Sequence, residues 1–163
     1  MNGETLNHLY RQIAETVNEM IPEGWKKFYF YAQVSDDGGG TYFYYQPEKE
    51  PDRCEHSLEI PFKYQVNERE FKLNKRKLLS LAEELRELFQ EEGQELWYSF
   101  TLSLEISGSL KVHFDYTNWF DTSYSFSNQL IIWKYKYLKE FPQDVDLQNL
   151  IARYTEEFPD NPI

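Results

Sequence analysis

Apolar residues near the start of the chain recur at three- and four-residue steps. Leu6, Leu9, Tyr10, Ile13, Val17 and Met20 therefore line one face of a helix predicted over Thr5–Met20. Asn2 or Thr5 is placed to cap its start. Pro22 disfavours helix at Ile21 and Gly24 permits a turn, so the segment ends there. From Trp25 to Ser35 the period changes to two. Phe28, Phe30, Ala32 and Val34 alternate with Tyr29, Tyr31 and Gln33, the pattern of a strand. Asp36-Asp37-Gly38-Gly39-Gly40 is expected to connect this strand to a second over Thr41–Tyr45. A polar loop over Gln46–His56 carries Pro47 and Pro51. Ser57–Ile60 is expected as a short third strand, with Pro61 marking its end or a sheet edge.

A second helix is predicted over Lys75–Glu92, with Leu78, Leu81, Ala82, Leu85, Leu88 and Phe89 as its stripe and Gly93 at its C-terminal end. Its charges run from Lys72, Lys75, Arg76 and Lys77 to Glu83, Glu84, Glu87, Glu91 and Glu92. That order opposes the helix dipole. Leu96–Ile106 alternates as a strand, Ser107-Gly108-Ser109 turns the chain, and Leu110, Val112, Phe114 and Tyr116 form the inward face of the partner strand. A loop with Asn118, Trp119, Phe120 and Asp121 precedes helices over Asn128–Leu138 and Asp146–Phe158. Short hairpins make antiparallel pairs. The fold expected is one α+β domain over residues 1–163, an antiparallel sheet of about four to five strands with helices packed on one side.

Composition narrows the partner. Lys and Arg number 17 against 28 Asp and Glu, a net charge of −11. That field repels nucleic acid and anionic membrane, and it favours a basic partner. Aromatic residues are abundant, at 12 Phe, 13 Tyr and 4 Trp. Each buried tyrosine hydroxyl needs a hydrogen-bond partner, so some Tyr are expected half exposed, where they can serve an interface. The single cysteine, Cys54, cannot form an intramolecular disulfide and fits a reducing cytoplasm. The N-terminal segment lacks the basic and apolar regions of a signal peptide, and no run approaches the roughly 20 apolar residues of a spanning helix.

Catalytic, metal and cofactor sites are not expected. His8, His56 and His113 lack zinc-ligand spacing with Cys or paired carboxylates. Cys54 and His56 lie in a polar loop without evident oxyanion donors. Gly38–Gly40 sits between strands rather than before a helix, so it is not a phosphate loop, and Asp36-Asp37 lacks the ligand ladder of a calcium loop. The glutamates of the second helix form a polar face whose default role is solvation. Two segments remain as partner-binding candidates. Asp115, Tyr116, Asn118, Trp119 and Asp121 combine carboxylates with the aromatic anchors that interfaces favour, although Trp119 and Phe120 have the core as an alternative destination. Glu48, Glu50, Asp52 and Glu55 supply carboxylates from the polar loop.

Three ordered stretches resemble a known family. They are Ile21-Pro22-Glu23-Gly24-Trp25 through Phe28–Tyr31 to Val34, then Glu95-Leu96-Trp97-Tyr98 to Phe114-Asp115-Tyr116, then Trp133-Lys134-Tyr135-Lys136-Tyr137-Leu138, all behind a helix ending in Asn18-Glu19-Met20. Together they resemble the YezG-like immunity proteins, which include the EsaG antitoxins. The resemblance implies a cytoplasmic antitoxin that binds and neutralises a secreted toxin, commonly a nuclease with an LXG-type export region. Two other classes stay open. An adaptor or chaperone-like protein for an exported partner would bind without neutralising, and a small hydrolase using clustered carboxylates would turn over substrate alone.

Overall fold

The computed structural model describes residues 3–163. Asn2, one of the two candidate caps, lies outside them. Helix α1 spans Gly3–Met20 and buries Leu9, Tyr10, Ile13, Val17 and Met20, the face that the spacing predicts. Strand β1 follows over Trp25–Ser35, and β2 over Gly38–Pro47. The hairpin between them is tighter than expected. Ser35 pairs with Gly38, leaving Asp36-Asp37 as a two-residue loop. Gly38 takes φ of 114°, open to glycine and strained for other residues. Gly39 lies so close to its partner strand that a Cβ would collide with the Gln33 carbonyl oxygen. Gly39 therefore lets the two backbones approach, and all three glycines belong to β2 rather than to the connection.

The third strand is also displaced. Strand β3 is only Glu55–His56, paired with Tyr44 and Tyr45 of β2. Ser57–Glu59 forms a 3-10 turn and Ile60–Lys63 a one-turn helix, α2. Two local features override the expected strand. The His56 side chain accepts the Leu58 N–H at 3.0 Å and caps the turn. Pro61 sits in the first turn of α2, where its fixed φ suits a helix start.

Helix α3 runs over Glu68–Glu91, beginning before the predicted Lys75. Asn67 caps it by accepting the Glu70 N–H at 3.0 Å. Its first turn thus carries Glu68 and Glu70, which the dipole favours, so the expected opposition at that end disappears. The last turn has no basic residue. Strands β4, Ser99–Glu105, and β5, Leu110–Asp115, complete a five-stranded sheet in the order β3-β2-β1-β4-β5. The pairings of β1 with β2 and β4, and of β2 with β3, are antiparallel, with Phe30 opposite Phe43 on β2 and Leu102 on β4.

The chain divides into two compact units, one running to Phe114 and the other Asp115–Ile163. In the first, α1 and α3 pack on the sheet face bearing Phe28, Phe30, Ala32, Phe43, Phe100 and Leu102. Trp97 joins that core, edge-on to Phe89 and Phe100. Burying each large apolar side chain contributes about 1.5–3 kcal/mol, which makes this layer the main source of the unit's stability. The tyrosines of the alternate positions, Tyr29, Tyr31, Tyr42 and Tyr44, are buried as well. Tyr31 and Tyr42 stack at 4.8 Å. The exposed tyrosines are elsewhere, at Tyr116 and Tyr135.

The second unit holds a 3-10 turn at Trp119–Asp121, helix α4 over Phe126–Tyr137 and helix α5 over Val145–Glu157. Trp119, Tyr124, Tyr154 and Phe158 form its aromatic cluster, with Trp119 and Phe158 at 5.1 Å. No helix among the described residues is long and apolar enough to cross a membrane.

Candidate functional site

The segment from Asp115 to Phe126 has few regular elements, yet local hydrogen bonds fix it. Asp115 is 2% exposed. One carboxylate oxygen accepts the Trp119 indole N–H at 2.7 Å and the other accepts the Thr117 N–H at 2.9 Å. Asn118 caps the 3-10 turn through the Phe120 N–H and donates to Asp121 at 2.9 Å. Thr122 donates to the Trp119 carbonyl at 2.6 Å, and Ser125 caps α4 through the Asn128 N–H. The effect is to divide the segment into two sets. Asp115, Trp119 and Tyr124 turn inward. Tyr116, Phe120, Asp121 and Phe126 are exposed, with Asn118 half-buried between them.

Of the two rings with the core as an alternative destination, Trp119 takes it and Phe120 does not. Asp115 and Trp119 are both buried, and each occupies the other's polar group. They hold the segment on which the exposed rings sit. Phe120 is 61% exposed and does not tuck into the core. Rings held outward on a fixed backbone lose little entropy on binding, which is the property of an interface anchor. Between Tyr116 and Trp133 there is no Lys or Arg, and Asp121 is the one carboxylate, exposed to solvent.

The polar loop after β2 behaves in the same way. Glu48, Glu50 and Asp52 are exposed. Glu55 is 3% exposed and is held by Arg53 and by Lys63, the latter at 3.2 Å. Glu55 is therefore a tie between the loop and α2 rather than a surface carboxylate. A second tie lies nearby. Glu23 accepts the hydroxyls of Tyr45 and Tyr64, both at 2.6 Å. Burial pushes the Glu23 carboxyl up, but these two hydrogen bonds and the charges of Arg53 and Lys49 outweigh it and hold the group below its ordinary value. Burial, with the Glu23 hydrogen bond next, pushes the Tyr45 hydroxyl far up.

Elsewhere the chemistry is sparse. Among the described residues, no three His, Cys, Asp or Glu side chains are grouped to hold a metal ion. His8 lies at an open groove of about 450 Å³ between α1 and α3, with Glu84, Glu87 and Glu91 on its wall. His113 is exposed on β5, and Cys54 is half-buried.

Comparison with known proteins adds the decisive observation. The sequence pattern of the YezG-like immunity proteins matches residues 6–152. The chain belongs to the YezG-like immunity protein family. It is 32% identical to the immunity protein YezG of Bacillus subtilis over 149 residues, 91% of this chain and 98% of that protein. It is 32% identical to the type VII secretion system protein EsaG of Staphylococcus aureus over 157 residues, 94% of this chain and 96% of that protein. The immunity protein YezG of Bacillus spizizenii is 30% identical over 155 residues, covering 94% and 95% of the two chains. The YezG-like match begins within α1 and ends within α5, so it takes in both segments described above.

Sequence reading missed three exposed aromatic residues, Phe62, Phe126 and Phe141, and the exposed Leu58. Phe126 carried a usable signal, since Ser125 is a good cap and places it at the start of α4. Phe62 carried none, because a one-turn helix is too short to show periodicity.

Proposed function

We propose that this immunity protein is the cytoplasmic antitoxin of a secreted nuclease toxin, which it neutralises by stoichiometric binding. Family membership over most of the chain is the observation that carries this reading. The similarity to EsaG of Staphylococcus aureus, a type VII secretion system protein, supports an exported toxin as the partner. The match runs through both compact units, which supports treating residues 1–163 as one immunity-protein domain.

Charge supports the nuclease assignment. A nuclease must attract phosphates, so positive potential lines its cleft. An inhibitor with a net charge of −11 complements that cleft and repels the nucleic acid that competes for it. Steering raises the association rate, which matters when the toxin must be caught before it cuts. The contact surface proposed includes Tyr116, Asn118 and Asp121 with Phe120 and Phe126 beside them, and separately Glu48, Glu50 and Asp52. Asp115, Trp119 and Glu55 hold these segments in shape.

Co-expression tests the proposal. Where a secreted toxin is encoded beside this chain's gene, its C-terminal domain is the probe. An antitoxin restores growth of cells making that domain, and the purified domain cleaves DNA or RNA until the chain is added. Growth arrest that persists with both proteins present and bound would instead mark an adaptor. A toxin domain without nuclease activity would remove the nuclease assignment while leaving the antitoxin reading.

A further inference from the structure

Helix α3 buries one face and leaves the opposite one bare. Phe71, Leu78, Leu81, Ala82, Leu85 and Phe89 turn into the core. On the far side a second stripe repeats at three- and four-residue steps, and all of its residues are exposed. Arg69, Leu73 and Arg76 lie on its first half, and Glu84, Glu87 and Glu91 on its second. Ser80 stands between the halves. Lys77 and Glu84, about two turns apart, share one edge of the stripe, and Arg76 and Glu83, equally spaced, share the other. The stripe is therefore basic before Ser80 and acidic after it.

None of these charges has an ion-pair partner among the described residues. The exceptions to the pattern lie off the stripe. Glu70 faces a recess beside α1, and Arg86 reaches Asp36 at 3.1 Å. Glu84, Glu87 and Glu91 also border the groove toward α1, where no Lys or Arg lines the wall. The order of the charges costs the isolated helix stability, because glutamates in its last turns meet the negative end of the dipole. Basic groups brought to that end from outside offset the cost.

We propose that this face pairs two copies of the chain, α3 of one lying antiparallel to α3 of the other about a two-fold axis at Ser80. In that arrangement a residue before Ser80 meets one equally far beyond it in the other copy. Arg69 falls opposite the partner's Glu91. Along one edge Lys77 meets the partner's Glu84, along the other Arg76 meets the partner's Glu83, and symmetry repeats every pair. The charge pattern selects this occupant. A uniformly basic or acidic partner matches one half of the stripe and is repelled by the other, whereas an antiparallel second copy matches both. The net charge of −11 opposes self-association in general. Screening at physiological ionic strength limits that repulsion to about 8 Å, so adjacent opposite charges outweigh distant like ones. Exposed ion pairs are individually weak and Leu73 adds little apolar area, so the pair is reversible rather than obligate. The inference is independent of the antitoxin reading and uses none of the residues proposed to contact the toxin.

The test is sedimentation equilibrium of the full chain at concentrations up to about 1 mM, in low and in high salt. Wild type should show a concentration-dependent dimer that salt weakens. R76E/K77E and E83K/E84K should each dimerise roughly 10-fold more weakly or worse, because each reversal makes two symmetry-related pairs repulsive. An equimolar mixture of these two variants should dimerise as wild type does, since every reversed side chain then faces one of opposite sign. Both variants remain acidic, so overall charge does not draw them together. Circular dichroism and thermal melts of both should match wild type, because the altered side chains are exposed. A wild-type chain that stays monomeric throughout overturns the pairing. So does a dimer that salt strengthens, or one that either variant retains at full strength. A mixture no more associated than its components also overturns it, and the wild-type salt dependence decides the matter if a variant fails to fold.

Discussion

Replacing Asp115 by alanine should destabilise the unit that contains it and disturb the segment it holds. The carboxylate is buried and accepts two N–H groups, from the Trp119 indole at 2.7 Å and from Thr117 at 2.9 Å. A hydrogen bond to a charged group contributes about 1.5–3 kcal/mol, and removing the acceptor also leaves a buried donor unsatisfied. The two bonds share one carboxylate and are not additive, so the expected loss is about 3–5 kcal/mol. At this chain length that corresponds to a fall in midpoint of roughly 6–20 °C. Urea unfolding followed by tryptophan fluorescence measures it. A cycle with W119F isolates the indole bond, and the coupling should be about 1–3 kcal/mol. Toxin-domain binding by D115A should weaken together with stability, whereas Phe120→Ala should weaken binding alone. D115A unfolding within about 0.5 kcal/mol of wild type, the range of neutral surface changes, would refute the structural role assigned to this carboxylate.

Three further outcomes follow from the same structure. Glu23 has a folded-state value held below its ordinary 4.5, so it adds stability above that pH, and the contribution is lost as pH falls through the lower folded-state value. Glu23→Gln should therefore cost stability at neutral pH and shrink the acid-induced loss, read from urea midpoints across the acidic range. Asn67→Ala removes the α3 cap and should cost about 1 kcal/mol in the same assay. Asp121→Lys should slow association with the toxin domain and reduce its salt dependence, measured by stopped flow, while unfolding changes by no more than about 1 kcal/mol, the worth of the exposed Asn118 bond that it loses.

Periodicity carried the fold where an element was long and half-buried. β1 occupies the predicted Trp25–Ser35, and the stripes of α1 and α3 bury the residues that their spacing selects. It failed where a few local bonds decide. The start of α3 was invisible because Glu68–Lys77 is largely polar and is set by the Asn67 cap. Ser57–Ile60 looked extended, but His56 and Pro61 wind it into turns. Site residues suffered the same way. The sequence marks Asp115 to Asp121 as unusual through its mix of rings and acids, but it cannot say which side chains turn inward. The indole bond to Asp115 makes that choice. Glu55 looked like one more loop acid until Arg53 and Lys63 were seen to enclose it. Phe62 was passed over because apolar residues are expected to go inward, and here Ile60 takes the buried position instead.

The central claim is stoichiometric neutralisation of a nuclease toxin, and a titration tests it most directly. The purified toxin domain, at fixed concentration with a fluorescent nucleic-acid substrate, is titrated with this chain at two salt concentrations. Cleavage should fall linearly to zero at an equimolar endpoint, with slower onset of inhibition at the higher salt. Cleavage that persists in several-fold molar excess of the chain would contradict the account.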